Sequence, residues 1–301
     1  MPNLYTHVCF GKEVANALTA EAAEAVNADK AAYDLGCTGP DFLFILRETG
    51  IGNVPEYAEK MHAEHVYDVF RALAESLDKK RDPVKLAYAM GLMCHYVLDF
   101  TLHPYVFETV KRYSNELLPP AYARSAHHFI ESAVDEYYIS ELGMGNAHKF
   151  KAGKAVKEEI SALYNEVIDP VFGVKLGKRS CITAFNLVGK ALKFTRDAKG
   201  VNLKTVRFLE KILLKGAPKF SSLIHPPYGY GESDYFNYAH RPFRKVRNEE
   251  EEERADVPQL LKRALKRAVV YLTEFFRAAR GETVLDREKF RINYEGCSVT
   301  P

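Results

Sequence analysis

Three polar residues with metal-binding side chains lie four positions apart in an otherwise apolar segment: His95, Asp99 and His103, between Leu86 and Tyr105. In an α-helix this spacing places all three side chains on one face. An unpaired imidazole or carboxylate is costly to bury among apolar side chains, so such groups normally have partners. The stripe therefore predicts a buried metal site.

A second row with the same spacing follows in His127, Glu131 and Asp135. We expect His127 and Glu131 to be ligands, and Asp135, one turn further on, to orient a histidine. Two helices would then each carry a stripe of ligand-type side chains. A shared metal cluster would satisfy both stripes.

Further candidate ligands precede these two stripes. His7 lies near the start of the chain, Asp41 follows the turn Gly39-Pro40, and His62 and His65 lie about one turn apart. Imidazole and carboxylate ligands without thiolate suit zinc, and several carboxylates suit more than one ion. Asp99, in the middle of its stripe, is placed to bridge two ions. Paired ions commonly serve phosphoester hydrolysis, because together they bind the attacking and leaving oxygens.

The order of these residues resembles the zinc-dependent phospholipase C family, which shares its helical fold and metal cluster with the single-strand-specific zinc nucleases. Members have an early His, an Asp in a turn and an isolated His. A helix with His-x-x-x-Asp and a further His follows, and then a helix with His-x-x-x-Glu. The chain supplies this ordered set over about residues 5 to 140: His7, Asp41, His62 or His65, His95, Asp99, His103, His127 and Glu131.

The resemblance implies a ligand set for each of three ions. One zinc would take Asp41, His62 or His65, His95 and Asp99. A second would take His103, His127 and Glu131, and a third would use His7 and share Asp99. Secreted members complete the third set with an N-terminal Trp, and this chain has no Trp. We therefore expect two zinc ions, with a third left open, and the choice between His62 and His65 stays open as well.

The function that the resemblance implies is zinc-dependent, phospholipase C-like hydrolysis of phosphodiesters by a multinuclear cluster that activates water. Asp41 and Asp99 are the expected catalytic residues, Asp41 as base and ligand and Asp99 as the bridge. The substrate would be a small-molecule or lipid phosphodiester. Two alternatives remain open at this point: a phosphoesterase acting on a nucleotide or other small phosphate ester, and a non-catalytic helical scaffold stapled by metal.

The elements that must position these residues are helices. The fold class is all-α, a multi-helix bundle of the phospholipase C and zinc nuclease type with a helical C-terminal extension. We expect a metal-binding helical core in residues 1–145 and a helical part in 146–301 packed on it, with a mobile loop around 216–256. Apolar periodicity and helix-end signals predict helices at about residues 13–32, 55–77, 83–103, 105–117, 121–142, 155–165, 181–196, 203–214 and 260–280.

Composition excludes several other classes of protein. The net charge of +2 is too small to indicate nucleic-acid binding, and the five scattered cysteines form no CxxC motif. No signal peptide or transmembrane pattern is present, so we expect a cytoplasmic protein. A single Glu-x-x-His, Glu59 to His62, argues against a ferritin-like site, and no His-Glu-x-x-His occurs. The oligomeric state is left open.

Overall fold

The computed structural model describes residues 4–49, 54–116, 123–145, 151–197, 199–216, 218–225 and 234–300. The first part of the chain contains α1 (Leu4–Ala17), α2 (Ala20–Ala28), α3 (Lys30–Cys37), a 3-10 segment (Gly39–Thr49), α4 (Val54–Ala63), α5 (Val66–Lys80), α6 (Pro83–Glu116) and α7 (Ala123–Ser140). The second part contains α8 (Lys154–Leu163), a π-helical turn (Tyr164–Ile168), α9 (Asp169–Phe172), α10 (Lys178–Thr195), α11 (Val201–Leu213), a 3-10 turn (Ser221–Leu223), β1 (Phe243–Arg244), β2 (Glu252–Glu253), α12 (Val257–Ala278) and a 3-10 turn (Arg287–Phe290). The predicted all-α class is confirmed.

Helix α6 is the centre of the structure. Every residue from 87 to 106 is buried, and helices α1, α2, α3, α7 and α12 pack around it. A helix that is apolar on all sides is stable only when other elements cover it. The polar stripe of α6 therefore lies in the interior of the protein. As predicted, the helix starts at Pro83, with Asp82 accepting hydrogen bonds from the backbone N–H groups of Val84 and Lys85.

The prediction that this helix ends before Pro104 is wrong. Helix α6 continues through Pro104 to Glu116. It therefore includes most of the separate helix predicted at residues 105–117, whose last residue lies outside the described residues. An internal proline removes one backbone hydrogen bond and costs about 3 kcal/mol. Burial of Tyr105 and Val106 after the proline, with the Tyr105 hydroxyl donating to the carbonyl of Tyr235, offsets that cost.

Two other predicted helices are divided in the structure. The segment 13–32 spans parts of α1, α2 and α3, with Asp29 capping α3 through the N–H of Ala32. The segment 55–77 is divided at His65, whose φ of 58° lies in the left-handed region and separates α4 from α5. On either side of this break, α4 carries buried His62 and α5 buries its own apolar face.

The C-terminal helices follow the predictions closely. Helix α12 begins with a capping box between Asp256 and Gln259, and it packs its apolar stripe against α6. Helices α8, α10 and α11 match the predicted segments. The stretch around 216–256 contains the antiparallel pair β1–β2, in which Phe243 opposes Glu253. Among the described residues, no helix is long and apolar enough to cross a membrane.

Candidate metal centre

Five elements bring eight of the nine predicted ligands together in the described part of the chain. His7 lies on α1, Asp41 in the 3-10 segment and His62 on α4, while α6 and α7 supply the two stripes. All are buried except His127, which is partly exposed. Their ligand atoms form three groups: His7 with His95 and Asp99, Asp41 with His62 and His95, and His103 with His127 and Glu131.

Asp41, His62 and His95 form the deepest group. The Nε2 atom of His62 lies 2.9 Å from Oδ1 of Asp41, and Nε2 of His95 lies 3.8 Å from Oδ2 of the same carboxylate. Asp41 is completely buried, because the 3-10 segment carries it between α4 and α6. The backbone turns at Gly39, which has a φ of 56° and has no room for a Cβ atom beside the His95 ring.

Asp99 lies between the groups. Its Oδ2 atom lies 2.9 Å from Nε2 of His95 and 3.9 Å from Nε2 of His62. Its Oδ1 atom lies 3.2 Å from Nε2 of His7 and 3.8 Å from Nε2 of His103. One oxygen therefore faces the deep group and the other faces His7 and His103, as a bridging carboxylate requires.

His103, His127 and Glu131 form the outer group. Oε1 of Glu131 lies 2.7 Å from Nε2 of His127 and 3.7 Å from Nε2 of His103. Beside it is a pocket of about 330 Å³, a volume that includes solvent at its mouth. Its polar lining comes from Thr6, His7, Asp99, His103 and Glu131, and its apolar lining from Leu98, Leu102, Val106 and Val134.

Backbone carbonyls orient three of the imidazole rings. The Nδ1 atoms of His62, His95 and His103 lie 2.7, 3.0 and 2.6 Å from the carbonyl oxygens of Ala58, Cys37 and Tyr294, respectively. A carbonyl oxygen can only accept a hydrogen bond, so each Nδ1 carries the hydrogen. In a neutral ring, Nε2 then has a free lone pair directed into the cluster, which is the usual state of a metal-ligating histidine.

Several buried atoms of the cluster have no hydrogen-bond partner among the described residues. They are both carboxylate oxygens of Asp41, Oδ2 of Asp99, Oε2 of Glu131, Nε2 of His62 and His95, and Nδ1 of His7. Unsatisfied buried polar atoms are rare and costly in folded proteins. Cations would satisfy these atoms, and a donor set of imidazole nitrogens and carboxylate oxygens fits zinc. The residues present therefore fit the metal that the sequence implies.

Neighbouring histidines lower the pKa of two carboxylates of the cluster, those of Asp99 and Glu131. Burial alone would raise the pKa of Asp99, but His95, His103 and His7 hold that pKa well below its usual value. Burial opposes the charged form of His103, yet Asp99 and Glu131 raise its pKa to about 9. Burial and the neighbouring His95 lower the pKa of His7. Negative charge is thus maintained in a place from which water is largely excluded.

His65 is the predicted ligand that the structure does not bring into the cluster. Its side chain is 47% exposed, and its Nδ1 atom lies 3.2 Å from a carboxylate oxygen of Asp68 on the protein surface. The left-handed backbone at His65 turns the chain after His62 has entered the interior. Of the two alternatives, the structure brings His62 and not His65 together with the other candidate ligands.

Other residues support the cluster, and sequence reasoning identified few of them. Asp135, expected to orient a histidine, accepts hydrogen bonds from the backbone N–H and the hydroxyl of Thr6 at 2.9 and 2.6 Å, and so anchors the residue before His7. Its other oxygen lies 3.5 Å from Nε2 of buried His225, which the sequence did not single out. The carbonyls of Cys37 and Tyr294 left no sequence signal, since any residue type supplies a carbonyl.

A family model described as zinc dependent phospholipase C matches residues 6–173 of the chain. This span contains all eight residues of the cluster. No curated protein and no solved structure gives a significant match.

Proposed function

The chain belongs to the zinc-dependent phospholipase C family, and from this premise we propose that it is a zinc-dependent hydrolase of phosphodiesters. The resemblance noted in the sequence is thereby confirmed. The observation that carries the proposal is the set of buried, unpartnered nitrogen and oxygen atoms on both sides of Asp99. Such a set is too costly for an ordinary core and suits a cluster of cations.

In this proposal, each of two zinc ions has its own set of ligands. Asp41, His62, His95 and Asp99 would hold one ion, and His103, His127 and Glu131 the other, with Asp99 shared. His7 approaches the Oδ1 atom of Asp99 at 3.2 Å, and its ring stacks on that of His95 with the ring centroids 3.9 Å apart. A third ion at His7 and Asp99 stays open.

The chain's own residues would contribute position and proton transfer. Zinc bound at this site would lower the pKa of water toward neutrality and stabilise negative charge on phosphate oxygens. Asp41, whose two oxygens are buried and have no hydrogen-bond partner among the described residues, would act as the base as well as a ligand. Leu98, Leu102, Val106 and Val134 line the pocket and would exclude water from the reacting phosphate. The same walls suit the apolar part of a lipid or aryl diester.

Metal analysis combined with assays on small esters tests the proposal. Purified protein should contain two or more zinc ions per chain, and hydrolysis of bis(p-nitrophenyl) phosphate should stop with chelator and return with zinc. The substitution Asp41→Asn should remove turnover, while Asp68→Asn, a surface acid on α5, should leave it unchanged. Less than one zinc per chain, or hydrolysis insensitive to chelator, would contradict the proposal.

Additional assays separate this proposal from its alternatives. p-Nitrophenyl phosphate and nucleoside monophosphates report a phosphomonoesterase, and preference for them over diesters would replace the proposed substrate class. A non-catalytic helical scaffold that zinc only stabilises would bind zinc and hydrolyse none of these esters. The cytoplasmic location and the number of ions stay predictions.

A further inference from the structure

Helix α11 leaves much of its apolar surface exposed. Phe208, Ile212 and Leu213 are 63, 62 and 72% exposed, and Val201 and Leu209 are exposed as well. The buried side chain of this helix is Glu210, at 4%. Surface helices of globular proteins normally bury their apolar stripe. A contiguous exposed apolar face of this kind marks an interaction site.

The buried glutamate explains how the helix is held in this orientation. A carboxylate oxygen of Glu210 accepts hydrogen bonds from the backbone N–H groups of Phe220 and Ser221, at 2.5 and 2.9 Å. These bonds attach the inner side of α11 to the 3-10 turn at Ser221–Leu223. The polar anchor therefore faces the protein, and Phe208, Leu209 and Ile212 lie on the exposed surface of the helix.

The part of the chain that contains α11 is strongly basic. Residues 190–219 contain nine Lys and Arg and two acidic residues, a net charge of +7, whereas the whole chain carries +2 and the remainder therefore −5. Both acidic side chains of the segment, Asp197 and Glu210, are buried and accept backbone hydrogen bonds. An exposed apolar face thus lies within a region of concentrated positive charge.

We infer that α11 binds the surface of an anionic phospholipid bilayer, with its apolar side chains in the lipid interface and its basic residues on the headgroups. Helices that lie in a membrane interface combine these two features. A second copy of the chain fits less well, because two +7 surfaces would repel each other when apposed. A nucleic acid would match the charge but not the aliphatic Ile212 and Leu213.

A short series of contacts connects α11 to the metal centre. Ser222, next to the anchored Ser221, accepts a hydrogen bond at its carbonyl from the hydroxyl of Ser132, the neighbour of Glu131 on α7. The ring of His128 lies 3.2 Å from the Ser222 hydroxyl. Bilayer binding through α11 would therefore hold α7 and its two ligands near the lipid. Helix α11 lies outside the span that the family model matches, and binding goes beyond hydrolysis.

Co-sedimentation of the full chain with vesicles tests the inference. One set of vesicles contains phosphatidylcholine alone, and the other contains phosphatidylcholine mixed with phosphatidylglycerol. We expect binding to the mixed vesicles, and a loss of about tenfold or more in affinity for Phe208→Ser combined with Ile212→Ser. Lys204→Glu combined with Lys211→Glu should weaken binding similarly and reduce its dependence on salt.

Matched controls come from exposed residues elsewhere. Val270→Ser with Val284→Ser removes two exposed apolar side chains, and Lys262→Glu with Lys266→Glu reverses two exposed charges on α12; both should bind as the parent does. The inference would be overturned if the α11 variants bound vesicles as tightly as the parent, or if the parent bound both vesicle types equally. It would also be overturned if light scattering showed a dimer that the α11 variants abolish, or if the protein preferred single-stranded RNA to vesicles. Zinc-dependent hydrolysis of the small soluble diester is measured separately, so its failure is distinguishable from failure to bind vesicles.

Discussion

Asp99 connects the two ligand groups because its carboxylate oxygens face different histidines. Oδ2 approaches His95, and Oδ1 approaches His7 and His103. Helical spacing in the sequence is sufficient to place His95, Asp99 and His103 on one face, and so the position of Asp99 between two histidines could be predicted. The partners of each oxygen depend on α1, α4 and α7, whose positions the local sequence does not determine.

Separate substitutions of His62 and His65 should show which of the two histidines binds zinc and which is a surface residue. His62→Ala removes a buried proposed ligand 2.9 Å from Asp41. It should reduce zinc affinity at least 100-fold, because loss of a residue that only supports a ligand already costs about 10–100-fold. His65→Ala should leave the affinity unchanged, since its ring is half exposed. Competition with a chromophoric chelator measures both, and equal losses would contradict the assignment.

Gly39 allows a second test at single-residue scale. An alanine there would have a Cβ atom 2.2 Å from Cδ2 of His95, and it would also adopt an unfavourable φ of 56°. We expect Gly39→Ala to displace His95 and to lower zinc affinity about 10–100-fold. Gly143→Ala is the matched control, because Gly143 has a φ of 65° and no atom lies within 4 Å of the position its Cβ would take. This substitution should cost about 1–2 kcal/mol of stability and leave zinc binding intact. Isothermal titration and thermal unfolding measure the two effects, and similar zinc affinities for the two variants would argue against the Gly39 contact.

At the scale of elements, α3 and α6 approach each other closely enough for their backbones to touch. A Cβ atom on Gly36 would lie 2.1 Å from the carbonyl oxygen of Tyr88, and one on Gly91 would lie 2.2 Å from that of Tyr33. This contact brings the carbonyl of Cys37, at the end of α3, within reach of Nδ1 of His95. The two glycines thus help set the orientation of a ligand that neither of them touches.

Gly91→Ala should therefore separate the two helices. We expect a loss of about 3 kcal/mol in the free energy of unfolding, because backbone on both sides prevents relaxation. Gly189→Ala, on the exposed side of α10 with no atom within 4 Å of its Cβ position, should instead stabilise the protein by about 0.5–1 kcal/mol. Urea unfolding of both variants measures the difference, and a neutral Gly91→Ala would show that the helices can separate at little cost.

Element boundaries were the part of the fold that the sequence predicted least well. The α4–α5 break at His65 has no Gly or Pro at the break itself, so the residue types gave no signal for it. Pro104 gave a helix-end signal that packing on both sides of it overrides. Helix α12 was predicted well because its cap residues and its apolar stripe agree with each other. Local rules thus succeed where the tertiary environment does not compete with them.

At the scale of the whole molecule, the metal centre joins five elements that are distant along the chain. Zinc should consequently stabilise the fold as well as the site. At a free zinc concentration about 100 times the dissociation constant, binding adds about 2.7 kcal/mol, which corresponds to a rise of about 4 °C in Tm for a chain of this length. Calorimetry of the chelator-treated protein with and without zinc measures this rise, with magnesium as the control ion. An unchanged Tm would contradict metal binding by the folded state.

The net charge of the whole chain did not reveal how unevenly charge is distributed along it. The net charge of +2 gave no reason to expect a charged partner, yet residues 190–219 alone carry +7. The exposure of Phe208 and Ile212 depends on the burial of Glu210, a hydrogen-bonding arrangement that helical periodicity does not reveal. The predicted division into residues 1–145 and 146–301 stays a prediction. Tyr294 nonetheless contacts His62 and His103 through its backbone, so the last part of the chain contributes to the site.

This contribution depends on Asn293, which positions the segment that holds His103. Its amide donates to the carbonyl of Ala63 and its side-chain oxygen accepts from the N–H of Cys297. Asn293→Ala removes both bonds at a buried position and should cost about 1–3 kcal/mol of stability. It should also weaken zinc binding, because the Tyr294 carbonyl would no longer hold the His103 ring in place. Asn248→Ala breaks a similar pair of bonds to Ser298 at an exposed position and should affect neither. Zinc titration of both variants would show whether the distant C-terminal segment orients the ligand, and equal affinities would mean that α6 alone holds His103.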